Sequence, residues 1–170
     1  MMQAKFQWRL AEPDDIGVVM AIQTVAHADF PEEETVLAER MRLCPQGCFV
    51  LVRGEAVNGY MLSHPWSRRR PPPLNRPLVA IPDDADCWYL HDLALLPQTR
   101  GSGAGAAIVS RLVSLAREEG FGVVALVSVG GSRPFWRKQH FAAVSDPMLK
   151  EKLASYGEGA AYMERLLAEA

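Results

Sequence analysis

Trp88-Tyr89-Leu90-His91-Asp92-Leu93-Ala94-Leu95-Leu96-Pro97-Gln98-Thr99-Arg100-Gly101-Ser102-Gly103-Ala104-Gly105 decides how the rest of the chain reads. The apolar run from Cys87 to Leu95 predicts a strand. A basic, glycine-rich loop follows and opens an amphipathic helix from Gly103 to about Glu119, with Ile108, Leu112, Leu115 and Ala116 on one face. Gly101, Gly103 and Gly105 remove side chains where the loop enters the helix. The N–H groups of the first turn are thereby open to an anion, which the helix dipole favours. Arg100 adds a planar cationic fork that suits phosphate. The stretch predicts a phosphate-bearing ligand beside a strand; the alternative is a flexible helix entry with no ligand. A GxxxxGK[ST] loop is absent. The dinucleotide fingerprint belongs in a first strand–helix unit, whereas this loop lies halfway along the chain.

Downstream, Gly120 stops the helix, and Val123 to Val127 reads as a central strand covered on both faces. Strand, helix, strand over this length implies a right-handed crossover and a parallel pair. Pro134 to Gln139 predicts a short helix and Phe141 to Val144 a strand. Asp146 to Gly159 reads as helical and then loose, and Ala160 to Leu167 as a final strand, with helix the alternative. Upstream, Phe6, Trp8 and Leu10 alternate with polar residues as in a half-buried strand. Glu12-Pro13-Asp14-Asp15 starts a helix that runs to about His27, and Asp29 to Glu34 starts a second, ended by Pro45-Gln46-Gly47. Cys48 to Val52 and Ala56 to Ser63 form a hairpin. His64 to Asp86, with Arg68, Arg69 and Arg70 beside Pro71, Pro72 and Pro73, is a long loop of the kind that carries function or moves.

At 170 residues and 49% apolar, the chain fits one domain, 1–170, with a sizeable core. A net charge of −2 lacks the basic bias of nucleic-acid binders. Cys44, Cys48 and Cys87 show no metal or disulfide spacing and read as reduced, in a cytoplasmic protein. Met1 to Leu10 is too polar for a signal peptide, and no apolar run approaches the ~18 residues of a membrane span.

Leu93 to Gly105 resembles the cofactor motif of the GNAT superfamily of N-acetyltransferases: an apolar strand, a Pro, then R-x-x-G-x-G/A opening a helix. Phe135-Trp136-Arg137-Lys138-Gln139-His140-Phe141 resembles that superfamily's F-Y-x-x-x-G-F segment, at the usual distance downstream. The order of elements agrees over nearly the whole chain. The resemblance implies an α/β fold (α+β in some schemes), with one mixed central sheet and helices on both faces. It implies acetyl-coenzyme A as donor and a small-molecule or peptide amine as acceptor, without metal, nucleic acid or membrane. A sheet edge near the C-terminus would permit a homodimer. The motif contains no Cys nucleophile, so acetyl would pass directly to the amine. The alternative is a non-catalytic acyl-coenzyme A sensor or interaction module.

By the same resemblance, the backbone of Leu93, Ala94 and Leu95 would pair with the pantetheine arm. The N–H groups from Arg100 through Gly101, Ser102, Gly103 and Ala104 to Gly105 would hold the pyrophosphate, and an N–H near Leu95 would face the oxyanion. Phe135 and Trp136 would wall the cofactor site. Trp136 stands where the family has a Tyr that protonates the leaving thiolate, a role indole cannot take. His140 stands where it has Gly, and the Asn often found after the next strand is absent.

His91 matches a His of the arylalkylamine acetyltransferases and is the candidate base; the alternative is a His packed within the sheet. Strict alternation would place Tyr89, His91, Leu93 and Leu95 on one face, with Leu90, Asp92 and Ala94 on the other. Asp92 would then cap a turn or pair with an Arg. Phe30, His64, Trp66 and Tyr89 would line the acceptor site. Asp29, Glu32, Glu33 and Glu34 would either attract a cationic amine or complement the helix dipole. Arg68 to Arg70 would meet a coenzyme A phosphate or an acidic acceptor, or form a solvated loop.

Overall fold

The computed structural model describes residues 4–168. Residues 1–3 and 169–170, the ends of the expected domain, lie outside the described residues. Strands β1 (Gln7–Leu10), β2 (Cys48–Arg53), β3 (Ala56–Trp66), β4 (Cys87–Leu95), β5 (Val123–Ser128), β6 (Ala142–Ala143) and β7 (Ala161–Leu166) form one mixed sheet in the order β1-β2-β3-β4-β5-β7-β6. Among the described residues only β4 and β5 pair in parallel. The hairpin strand continues to Trp66, so the loop begins at residue 67, and the predicted strand at Phe141 to Val144 shrinks to two residues.

Helices cover both faces. α1 (Ile16–Ala26) and α2 (Glu34–Leu43) bring Val19, Ile22, Leu37 and Met41 onto Val50, Tyr60, Leu62 and Ala94. α3 (Ala104–Glu118) buries Ile108, Val109, Leu112 and Val113 against Met61, Trp88 and Leu90 on the other face. Each such buried side chain contributes roughly 1.5–3 kcal/mol. The Trp8 indole donates to the Ala104 carbonyl (2.9 Å), tying the edge strand to the start of α3. α4 (Arg133–Lys138) and α5 (Leu149–Lys152) are short.

Gly47 lies under the hairpin in close contact with Ser63. A Cβ there would stand 2.3 Å from the Ser63 carbonyl oxygen. The Ser63 hydroxyl donates to the Gly47 carbonyl (2.6 Å) and accepts from the Trp88 indole (2.8 Å), so this contact links the hairpin to the core.

The long loop is largely exposed but anchored at several points. Arg68 makes a two-pronged pair with Glu164 (3.0 and 2.9 Å), and Arg69 Nη1 lies 3.5 Å from Asp146. The Leu74 N–H donates to Ser155 and the Asn75 N–H to Glu32. Arg68 therefore holds the loop to β7, whereas Arg69 and Arg70 are exposed.

Candidate active site

β4 carries a bulge at its centre. Leu62 pairs with Asp92 and Ser63 with Leu90, leaving His91 as the extra residue. The bulge overturns the strict alternation expected for this strand. Leu90 and Leu93 now share the α3 face, whereas Tyr89, Asp92 and Ala94 lie on the side of α1 and α2. Bulges also bend a strand and increase its twist. Pairing between β4 and β5 accordingly stops at Leu90, and the strands diverge around a cleft of about 530 Å³.

The open edge of β4 forms one wall. The Leu96 N–H donates to the Asn58 carbonyl (2.9 Å), which fixes the phase of the ladder with β3. The N–H and C=O of Ala94 are thereby turned to β3, and those of Leu93 and Leu95 to the open side. Ala94 borders the cleft but has no free backbone groups to offer. The edge leads to Arg100, which also borders the cleft. Gly101 and Gly103 have φ of +77° and +78°, a backbone most side chains resist, with open space before them. Among the described residues, the N–H groups of Gly101, Gly103, Gly105 and Ala106 have no hydrogen-bond partner. Ser102 is used internally, accepting from the Ala104 N–H (3.2 Å). Gly105 answers a packing need: a Cβ would meet Phe135 at 3.2 Å and Leu95 at 3.4 Å. Phe135 and Trp136 border the cleft, and Trp136 packs edge-on against both Phe135 and Phe141.

The far end of the cleft holds two histidine–carboxylate pairs. The His91 ring is fully buried, and its Nε2 lies 2.7 Å from Glu32 Oε1. Its Nδ1 is buried without a partner. Glu32 precedes α2 instead of lying in its first turn, so the dipole explanation fails for this residue. Burial pushes the Glu32 carboxyl up, but His91, the Asn75 N–H and Arg40 outweigh that and hold it below its ordinary value. The second pair was not evident from sequence. His27, capping the C-terminus of α1, places Nε2 2.7 Å from Asp92 Oδ1 and 3.2 Å from the Leu93 carbonyl. Asp92, which neither caps a turn nor meets an Arg, also accepts from the Tyr60 hydroxyl. Burial disfavours the charged His27 ring, but Asp92 and the Leu93 carbonyl outweigh it and raise the pKa above 6.5. A His ending a helix was the one signal that could have drawn attention to it.

Phe30 borders the cleft as expected, but His64, Trp66 and Tyr89 do not. Tyr89 is buried against Tyr156, and the Trp66 indole donates to the Arg70 carbonyl. His64 is fully buried at the end of β3, and its Nδ1–H donates to the Pro65 carbonyl (2.9 Å). Burial pushes its pKa down from 6.5 to about 3. Between those values the unfolded chain binds the extra proton, so stability falls as pH drops from 6.5 toward 3. His64→Gln is expected to flatten that acid limb in urea-midpoint measurements; an unchanged slope would place the acid sensitivity elsewhere.

A model of the acetyltransferase (GNAT) family matches residues 15–141. The chain belongs to this family. Ard1 from Thermoplasma volcanium superposes with a TM-score of 0.72 at 20% identity, covering 96% of this chain and 99% of its own. The GphF GNAT-like decarboxylase in complex with isobutyryl-CoA gives 0.76 at 15% identity, covering 95% and 100%. The ribosomal-protein-S18-alanine N-acetyltransferase from Escherichia coli gives 0.68 at 16%, covering 97% and 96%. The search of curated proteins found no match. At these identities the GNAT structures establish the fold. Among the described residues, no helix is long and apolar enough to cross a membrane.

Proposed function

We propose that this GNAT protein is a single-domain, cytoplasmic N-acetyltransferase that moves acetyl from acetyl-coenzyme A directly to a primary amine. The observation that carries this reading is the β4 edge at Leu93 and Leu95, which pairs with no further strand and runs into the free N–H groups of Gly101, Gly103, Gly105 and Ala106 beside Arg100. A pantetheine arm adds there as a strand, and its pyrophosphate rests on the loop. The complex of the GphF relative with isobutyryl-CoA supports this choice of donor. The arm runs back from the loop past Leu95 to Leu93. The acyl end therefore lies at Leu93, beside His27 and His91, one step further than the motif alone suggested. The Leu93 N–H then faces the thioester oxygen and stabilises the oxyanion as the amine attacks.

His91 is the base in this reading. Glu32 engages Nε2 and leaves Nδ1, buried and unpartnered, to take the amine proton through a water. Positioning of amine and thioester in one cleft supplies much of the rate. A covalent acetyl-cysteine is disfavoured: burial pushes the thiols of Cys44, Cys48 and Cys87 up to about 11, 12 and 12.

The test is release of free thiol from acetyl-coenzyme A across polyamines, aminoglycosides, arylalkylamines and lysine peptides. Cofactor binding with no thiol release across that panel would favour the sensor reading. Arg100→Glu is expected to weaken coenzyme A binding roughly tenfold by calorimetry, because it replaces a charge-assisted phosphate contact by a repulsion. Unchanged affinity would remove Arg100 from the phosphate site.

A further inference from the structure

Transfer from a thioester leaves a thiolate that must gain a proton, and indole at position 136 cannot give one. We propose that His27, held by Asp92, is the acid that protonates the departing thiol of coenzyme A. The proposal rests on the acetyl-transfer reading above.

The placement is specific. The His27 Nε2–H is shared between Asp92 Oδ1 (2.7 Å) and the Leu93 carbonyl (3.2 Å), on the strand edge where the acyl end of the donor lies. That bond pattern leaves Nδ1–H as the transferable proton. The His27 side chain is 24% exposed and borders the cleft, so it is within reach of a bound thioester. Other proton-bearing groups at the cleft are engaged. The Tyr156 hydroxyl donates to the Pro72 carbonyl, and its pKa is pushed up to about 12 by burial. His91 is turned to Glu32. The Tyr60 hydroxyl, behind Asp92, spends its proton on that carboxylate and fixes its orientation.

Three features favour the charged ring. Asp92 on β4 is its direct counter-ion. Glu32, before α2, adds a further negative charge nearby. The C-terminal end of α1 points its carbonyls at the ring, which favours a cation. Asp29, on the same connection, borders the cleft as well. His91 and Arg100 are the opposing basic groups around this cleft, and His91 is paired with Glu32.

The step balances. The neutral amine adds to the thioester carbon, and the tetrahedral intermediate collapses with cleavage of the C–S bond. The sulfur takes the bond pair and the Nδ1 proton of His27, giving the free thiol and a neutral imidazole. His91 has taken the surplus amine proton, and solvent restores both rings after product release.

The test is kcat against pH for wild type, His27→Gln and Asp92→Asn, at saturating amine, with thiol release as readout. Wild-type kcat is expected to fall on the alkaline side as His27 loses its proton. His27→Gln is expected to lower kcat roughly 10–100-fold and abolish that fall, with KM for acetyl-coenzyme A unchanged. Asp92→Asn, which keeps an acceptor for Tyr60, is expected to move the fall to lower pH. Wild-type kcat and pH profile in His27→Gln would overturn the proposal. So would a loss confined to KM for the amine, which would make His27 an acceptor contact. Absence of thiol release by the wild type with every amine would instead overturn the acetyl-transfer reading beneath it.

Discussion

His91→Gln is expected to lower kcat/KM for the amine by about 10²–10⁴-fold and to flatten its rise with pH. The glutamine amide can still donate to Glu32, so the buried carboxylate keeps a partner and the fold survives. What disappears is the ring nitrogen that faces away from Glu32 and has no partner among the described residues. His91→Ala is a harsher change, because it strips Oε1 of the buried Glu32 carboxylate of its partner and leaves only the Asn75 N–H on Oε2, at a cost of about 3 kcal/mol. Rate profiles and melting curves on both variants separate chemistry from stability. An undiminished pH-dependent rise in His91→Gln would show that another group, or bulk water, takes the amine proton.

Gly47→Ala is expected to destabilise the protein by about 3 kcal/mol or more, seen as a melting temperature lower by roughly 10 °C. The added methyl would have to occupy space 2.3 Å from a backbone oxygen, and strand backbone does not yield as a flexible side chain does. Relief requires β3 to shift, which breaks the chain of bonds from Gly47 through Ser63 to the fully buried Trp88. A melting temperature within a few degrees of wild type would mean that the turn at Pro45–Gly47 gives way at little cost.

Periodicity and turn residues made most of the fold legible, because those signals are local. Cys87 to Leu95 and the helix opening at Gly103 can be found from their own residues, and the observed strand and helix lie there. The glycine-rich turn could also be read locally, since positive φ and missing side chains are properties of single residues. The histidine pairs could not. Glu32 and His91 are separated by 59 residues, and their meeting depends on how a helix end and a bulged strand approach in space. The bulge itself depends on the register between two strands, and one extra residue was enough to reverse the expected sides of Asp92 and Leu93. His64, Trp66 and Tyr89 lay on the correct strands for the cleft. Their rings pack on one another, His64 against both Trp66 and Tyr89, a grouping visible only in three dimensions.

The diverging strands have a mechanical consequence. Three residue pairs, Trp88–Val124 to Leu90–Leu126, form the whole seam between β4 and β5. One plate of four strands meets another of three along that short line. Beyond it, the two plates stand apart like the arms of a clothes peg. A donor molecule bonded to one arm and packed on the other would act as a splint, stiffening the body as a whole.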